Sequence, residues 1–282
     1  MRLRLYHHSD GARVAYRETG AGPALILLHS LGLTYREWEP VVEPLAERFR
    51  LVLPDLPLHG DSEDRPRHPY TPEWFTEVLT GFCLEAGGPR VMVGGHDFGA
   101  ELALRAAVAG AGGALAPARL VLMANRLHRP APFGRRRAVW RFLCRLGAVP
   151  GLGIVLSEAA PLVFRPALGE KLSAQRNPEA RDLMRHAFAD VGGNANRARA
   201  WAKFVRHWPF EAQRDQFDSY AQLRMPVLLL WGEEDPAGPI EAAREALDLL
   251  ADAQLRTLPG AGFLVAYDDP VGLARELIAF CG

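Results

Sequence analysis

Val91 to Leu102 reads VMVGGHDFGAEL, an apolar run that ends in Gly94-Gly95 and passes through His96-Asp97-Phe98 into Gly99-Ala100 and a helix-forming stretch. Strand, sharp turn and helix follow one another in a single line. A turn this tight needs small residues two positions before and after its apex, because a Cβ there collides with the strand or the helix. Gly95 and Gly99 stand at those positions, and Asp97 stands at the apex. The pattern G-x-Nu-x-G lifts its middle side chain above the sheet, beside backbone N–H groups able to hold an oxyanion. A glycine-rich strand-to-helix turn of another parallel sheet is the competing interpretation, and the rest of the chain decides between them.

Upstream, Leu3 to His7 and Ala12 to Glu18 alternate around Ser9-Asp10-Gly11, the pattern of an antiparallel hairpin. Ala24 to Leu28 is continuously apolar, as a strand covered on both faces is, and it ends in His29-Ser30-Leu31-Gly32. Trp38, Val41, Val42, Leu45 and Ala46 recur at helical spacing, Arg50 to Leu53 forms the next strand, and Glu73 to Glu85 a helix. Downstream of the elbow come strands at Ala118 to Asn125, Pro226 to Trp231 and Gln254 to Leu258, with helices at Glu241 to Leu250 and Val271 to Phe280.

About a hundred residues separate Asn125 from Pro226, far more than one crossover requires. The surplus predicts a helical cap over residues 128–219, inserted between two parts of one core, 1–127 and 220–282. Val139, Phe142, Leu143 and Leu146 share one helical face, and Trp201, Phe204, Val205 and Trp208 another. The second stripe reads as cap core, with Trp201 and Trp208 as candidates for the roof of a pocket. Arg135, Arg136 and Arg137 read as a solvated face, and Ala109 to Ala116 as a low-complexity loop.

With Asp97 at its apex, the elbow resembles that of the α/β-hydrolase superfamily, in the branch with aspartate as nucleophile that includes haloalkane dehalogenases and soluble epoxide hydrolases. Asp55-Leu56-Pro57-Leu58-His59-Gly60-Asp61-Ser62 is similar to the superfamily's D-x-x-G-x-G-x-S loop, with Leu58 in place of the first glycine. Trp231-Gly232-Glu233-Glu234-Asp235, with Pro239 beyond it, resembles the segment that carries the orienting acid. The resemblance implies an α/β-hydrolase fold, a mostly parallel eight-stranded sheet flanked by helices, with an inserted helical cap. It also implies an oxyanion hole from the N–H groups of Leu31 and Phe98, with Asp235 in the acid's place. His29 and Ser30 then border the pocket, His29 as a structural imidazole, and His59 carries no chemistry.

One member of the set is missing. The superfamily's histidine belongs in a stretch like P-G-A-G-H-F-L, and this chain reads Pro259-Gly260-Ala261-Gly262-Phe263-Leu264-Val265. Phe263 stands where the imidazole belongs, and all nine histidines precede Asp235. In the aspartate-nucleophile enzymes that imidazole deprotonates the water that releases the ester intermediate. The Phe98 side chain has no N–H donor where the dehalogenases usually carry Trp, and the predicted cap has no Tyr before Tyr220 to protonate an opening epoxide. A buried Asp97 without a cationic partner becomes a better base, able to move a proton with no water involved. The expected activity is therefore that of a cofactor-independent, non-hydrolytic enzyme, a lyase or cyclase acting on an apolar small molecule. Relatives of this kind in bacterial polyketide pathways offer an analogy. The alternatives are a hydrolase whose base comes from His128, His186 or His207 in the cap, and a degenerate member that only binds a ligand.

Composition limits the remaining classes. Lys+Arg and Asp+Glu balance at 33 each, which supplies no basic field for nucleic acid. Hydrophobic residues make up 49% of the 282, enough for a large core. Cys83, Cys144 and Cys281 lack metal-ligand spacing and read as reduced, so neither a metal nor a cofactor is expected. No stretch nears the length of a spanning helix, and the amino terminus lacks a signal-like apolar core. The expectation is a cytoplasmic monomer or homodimer whose partner is a small-molecule substrate, with no nucleic acid and no membrane.

Overall fold

The computed structural model describes residues 1–88, 90–110, 115–125, 172–189, 195–209, 218–236 and 238–282. Eight strands form one sheet in the order β1-β2-β4-β3-β5-β6-β7-β8. β1 (Arg2–His7) and β2 (Arg13–Thr19) are the predicted hairpin, and β2 runs antiparallel to β4 (Arg50–Pro54). From β4 onward the pairing is parallel, through β3 (Ala24–Leu28), β5 (Met92–His96), β6 (Arg119–Met123), β7 (Val227–Gly232) and β8 (Ala253–Leu258). Strands buried on both faces need no alternation, and ALILL, RLVLM and VLLLWG show none.

Two apolar layers cover the sheet. One contains α2 (Pro72–Gly87) and α3 (Phe98–Gly110), with Phe75, Val78, Phe82 and Leu104 in its core. The other contains the segment after β3 and the carboxy-terminal helix, with Trp38, Val41, Phe49, Leu273 and Leu277. The segment after β3 is not one helix. Tyr35–Val41 is a 3₁₀ turn and only Val42–Ala46, α1, is α-helical. Pro40 explains the break, since it lacks an N–H and disfavours the α conformation at Glu39. The chain continues with α4 (Pro178–Ala189), α5 (Ala195–His207), α6 (Glu241–Leu247), α7 (Val265–Asp268) and α8 (Pro270–Cys281).

Most of the expected cap, including His128, Arg135 to Arg137, Val139, Phe142, Leu143, Cys144 and Leu146, lies outside the described residues. So does the side chain of His186, as do residues 111–114 of the Ala/Gly loop. Cys83 and Cys281 are free and buried, and burial pushes each thiol up to about 12. Among the described residues no helix is long and apolar enough to cross a membrane, and no cluster of three His, Cys, Asp or Glu groups could hold a metal ion.

Candidate active site

Strand order brings the carboxyl ends of β3, β5, β7 and β8 to one edge, where open parallel sheets place their ligands. The apex of the turn after β5 is Asp97, half-buried and in the left-handed region at φ +49°. A non-glycine residue there carries backbone strain. The two glycines are required by distance. A Cβ on Gly95 would lie 2.3 Å from the Gly99 carbonyl, and one on Gly99 would lie 2.3 Å from the Leu28 carbonyl oxygen. The Asp97 N–H donates to Met123 O at 2.9 Å, and Asp97 O accepts the Glu101 N–H at 3.0 Å, so strand and helix both hold the apex.

The turn after β3 supplies the facing wall. Leu31 is half-buried there, and Phe98, which opens α3, is buried. His29 and His59 fix this turn as neutral imidazoles. His29 Nε2 accepts the Leu56 N–H at 2.9 Å while its Nδ1 faces Ser30 O at 2.8 Å. His59 Nε2 accepts the Gly32 N–H at 3.0 Å while its Nδ1 faces Pro57 O at 3.0 Å. In each ring the nitrogen that accepts a backbone N–H has no proton, so the other one carries it. Burial pushes both imidazoles below their ordinary value, His59 well below, with His29 beside it adding to the effect. His29 and Ser30 are fully buried behind the turn.

The loop after β4 braces this wall. Asp55 accepts from Arg17 at 2.6 Å, from the Tyr35 N–H at 2.9 Å and from the Asp61 N–H at 3.1 Å. Leu58, in the place of a glycine, is buried and sits at φ +79°. Its apolar contacts offset a left-handed backbone that glycine adopts without strain.

Asp235 lies half-buried in the loop after β7, and Phe263 lies buried in the loop after β8. These loops touch: a Cβ on Gly232 would lie 2.4 Å from the carbonyl oxygens of Ala261 and Gly262. Asp268 holds the Phe263 loop by accepting the Gly262 N–H at 2.7 Å, together with the Ala174 N–H at 2.9 Å and the Ser173 hydroxyl. Above Phe98, α5 contributes Trp208, whose ring centroid is 4.8 Å from that of Phe98, and Phe204 at 5.6 Å. Trp201 packs 5.1 Å from His59, and its indole N–H has no hydrogen-bond partner among the described residues. His207 is exposed, with Nδ1 2.8 Å from Pro69 O.

Sequence reasoning passed over two residues, Glu37 and His96. Glu37 projects from the 3₁₀ turn into the protein, where its carboxylate accepts the Ser30 N–H and the Ser30 hydroxyl, each at 2.7 Å, and contacts His96 Nδ1. Burial opposes the charged form of His96, but Glu37, with Asp97 and Asp235 near, outweighs it and holds the imidazole above its ordinary value. The Phe263 ring lies 4.5 Å from this imidazole. The one available signal was an acidic residue beside Trp38 on an otherwise apolar face, combined with a histidine closing an apolar run.

Comparison with known proteins bears on the fold and the family. An uncharacterized protein of Mycobacterium tuberculosis is 28% identical over 273 residues, covering 92% of this chain and 75% of that protein. A soluble epoxide hydrolase of Corynebacterium sp. is 33% identical over 106 residues, 36% of this chain and 37% of that enzyme. The structure of a thermophilic esterase from Thermogutta terrifontis superposes with a TM-score of 0.77 at 21% identity, covering 100% of this chain and 98% of that one, a likeness of fold. The sequence model of the alpha/beta hydrolase family matches residues 25–276. With the elbow, the sheet order and that match in hand, the chain belongs to the alpha/beta hydrolase family.

Proposed function

We propose that this chain is a cofactor-independent, non-hydrolytic enzyme, a lyase or cyclase of natural-product type, that uses Asp97 as acid and base on a mainly apolar small molecule. The observation that carries this reading is Phe263, a buried apolar ring at the position of the family's water-activating imidazole. Without an imidazole at that position, an ester on Asp97 lacks the family's partner for its release, whereas proton transfer by Asp97 needs none. In this reading the N–H groups of Leu31 and Phe98 hold an enolate or a departing carboxylate, and Asp235 keeps the acid's place. Phe98, with Trp201 from α5 and Trp208 beside it, supplies aromatic rings that suit an apolar substrate.

A second reading, an aspartate-nucleophile hydrolase of an epoxide, halide or ester, draws support from the stretch shared with the epoxide hydrolase. Turnover in heavy-oxygen water separates the two. Elimination leaves the product without solvent oxygen, and steady incorporation refutes the non-hydrolytic reading. Asp97→Asn keeps the shape and removes the basicity, so turnover should vanish with the melting temperature nearly unchanged. A variant that keeps most of its activity removes Asp97 from the mechanism.

A further inference from the structure

The Glu37–His96 pair has no place in the scheme above, yet it lies deeply buried directly before the elbow apex. Glu37 is 2% exposed and His96 1%. The carboxylate accepts the Ser30 N–H on one oxygen and the Ser30 hydroxyl on the other. Both oxygens of this carboxylate thus act as acceptors. The His96 nitrogen facing it, Nδ1, therefore carries a proton, and the lone pair of a neutral ring falls on Nε2. Nε2 is buried and has no hydrogen-bond partner among the described residues. One nitrogen clamped by a carboxylate and the other open is the arrangement that makes an imidazole a general base. Around this ring stand Phe263 at 4.5 Å and Trp38 at 6.5 Å, and the charged groups acting on it are Glu37, Asp97 and Asp235.

We propose that Glu37 and His96 form a relocated carboxylate–imidazole pair, a general base for chemistry at Asp97 that Phe263 screens from water. The proposal rests on Asp97 as the reacting carboxylate and names the second proton-handling group of that site. It places the imidazole on β5, directly before Asp97, instead of on the loop after β8. A screened base exchanges protons within the site and leaves water unactivated, which fits a site that keeps a carboxylate–imidazole pair without hydrolysing.

Styrene oxide serves as the probe. Attack of the Asp97 carboxylate on an oxirane carbon breaks that carbon–oxygen bond, and the freed oxygen takes a proton from solvent. The hydroxyalkyl ester is read by intact-protein mass spectrometry, and Asp97→Asn must abolish it. In the wild type the ester should persist. In Phe263→Gly, Nε2 takes a proton from water as the water oxygen adds to the ester carbonyl. The ester carbon–oxygen bond then breaks, and the departing alkoxide receives the proton, restoring Asp97.

The ester lifetime should fall by about tenfold or more in Phe263→Gly and recover in Phe263→Gly/His96→Gln. A lifetime unchanged by Phe263→Gly, or shortened without dependence on His96, overturns the proposal. Rapid His96-dependent loss in the wild type overturns the Phe263 screen and the non-hydrolytic reading while leaving His96 as a base, whereas loss independent of His96 overturns the pair itself, so the two failures are distinguishable. Should a variant not fold, or Asp97 not take the probe, nitrogen NMR of the wild type with isotope-labelled histidine decides. His96 must show a proton fixed on Nδ1 and a titrating Nε2; an Nε2 that keeps its proton throughout the folded range overturns the proposal.

Discussion

Glu37→Gln is the most informative perturbation of stability, because it changes the charge at a buried pair while leaving its volume almost unchanged. Glu37 accepts two hydrogen bonds of 2.7 Å from Ser30 and contacts His96 Nδ1. The glutamine amide keeps one acceptor oxygen and turns an N–H₂ donor toward a group that also donates. Breaking a buried pair from one side costs about 3–5 kcal/mol, and the acceptor that remains places this variant at the low end, about 3 kcal/mol. With an unfolding entropy of about 2 cal/mol/K per residue over 282 residues, the melting temperature should fall by about 5 °C. The assay is differential scanning calorimetry of Glu37→Gln, His96→Gln and the double variant. The double variant should be less destabilised than the sum of the singles, since each single leaves the other partner stranded. Additivity to within about 0.5 kcal/mol would refute the coupling. The sign with pH is also determined. An imidazole held above its ordinary 6.5 strengthens the fold below that pH, and the contribution is lost as pH rises through the raised value. The gap between wild type and Glu37→Gln should narrow in alkali, and a gap that widens there contradicts the pair.

Two further expectations follow from the frame of the site. Gly99→Ala puts a Cβ 2.3 Å from the Leu28 carbonyl oxygen and 2.7 Å from that of His29, backbone that cannot give way. It should cost at least about 2 kcal/mol, seen as a lower urea midpoint at unchanged slope, and a midpoint equal to wild type would remove the close-approach argument. His59, held well below its ordinary 6.5 by burial, titrates with the opposite sign to His96. The unfolded chain takes its proton first, so stability falls as pH drops below 6.5, and His59→Gln should flatten that acid limb. An acid limb of unchanged slope in the variant would show that His59 is not buried in its neutral form.

The elbow was legible in the sequence because its requirement is local. Gly95 and Gly99 lie two residues either side of Asp97, and the clash that excludes a Cβ involves backbone that the same turn brings together. The strands were legible for a related reason: a strand buried on both faces is continuously apolar, and ALILL or VLLLWG cannot be read otherwise once turns bound them. The reading of Phe263 as standing in a histidine's place likewise rests on sequence alone, from the order of the loop after β8 relative to Pro270.

The Glu37–His96 pair was not legible, because its members are 59 residues apart and nothing in either local pattern asks for the other. Chain order ranked His96 as merely one of the histidines preceding Asp235. Sheet order decided otherwise. β3 pairs directly with β5, so the turn after β3 lies beside the end of β5, and the break near Pro40 sets Glu37 inward with Trp38 where a regular helix was expected. A sequence records which residues must be small or apolar to satisfy their neighbours along the chain. Which buried carboxylate meets which imidazole depends on strands from distant segments lying side by side, and only the tertiary structure decides that.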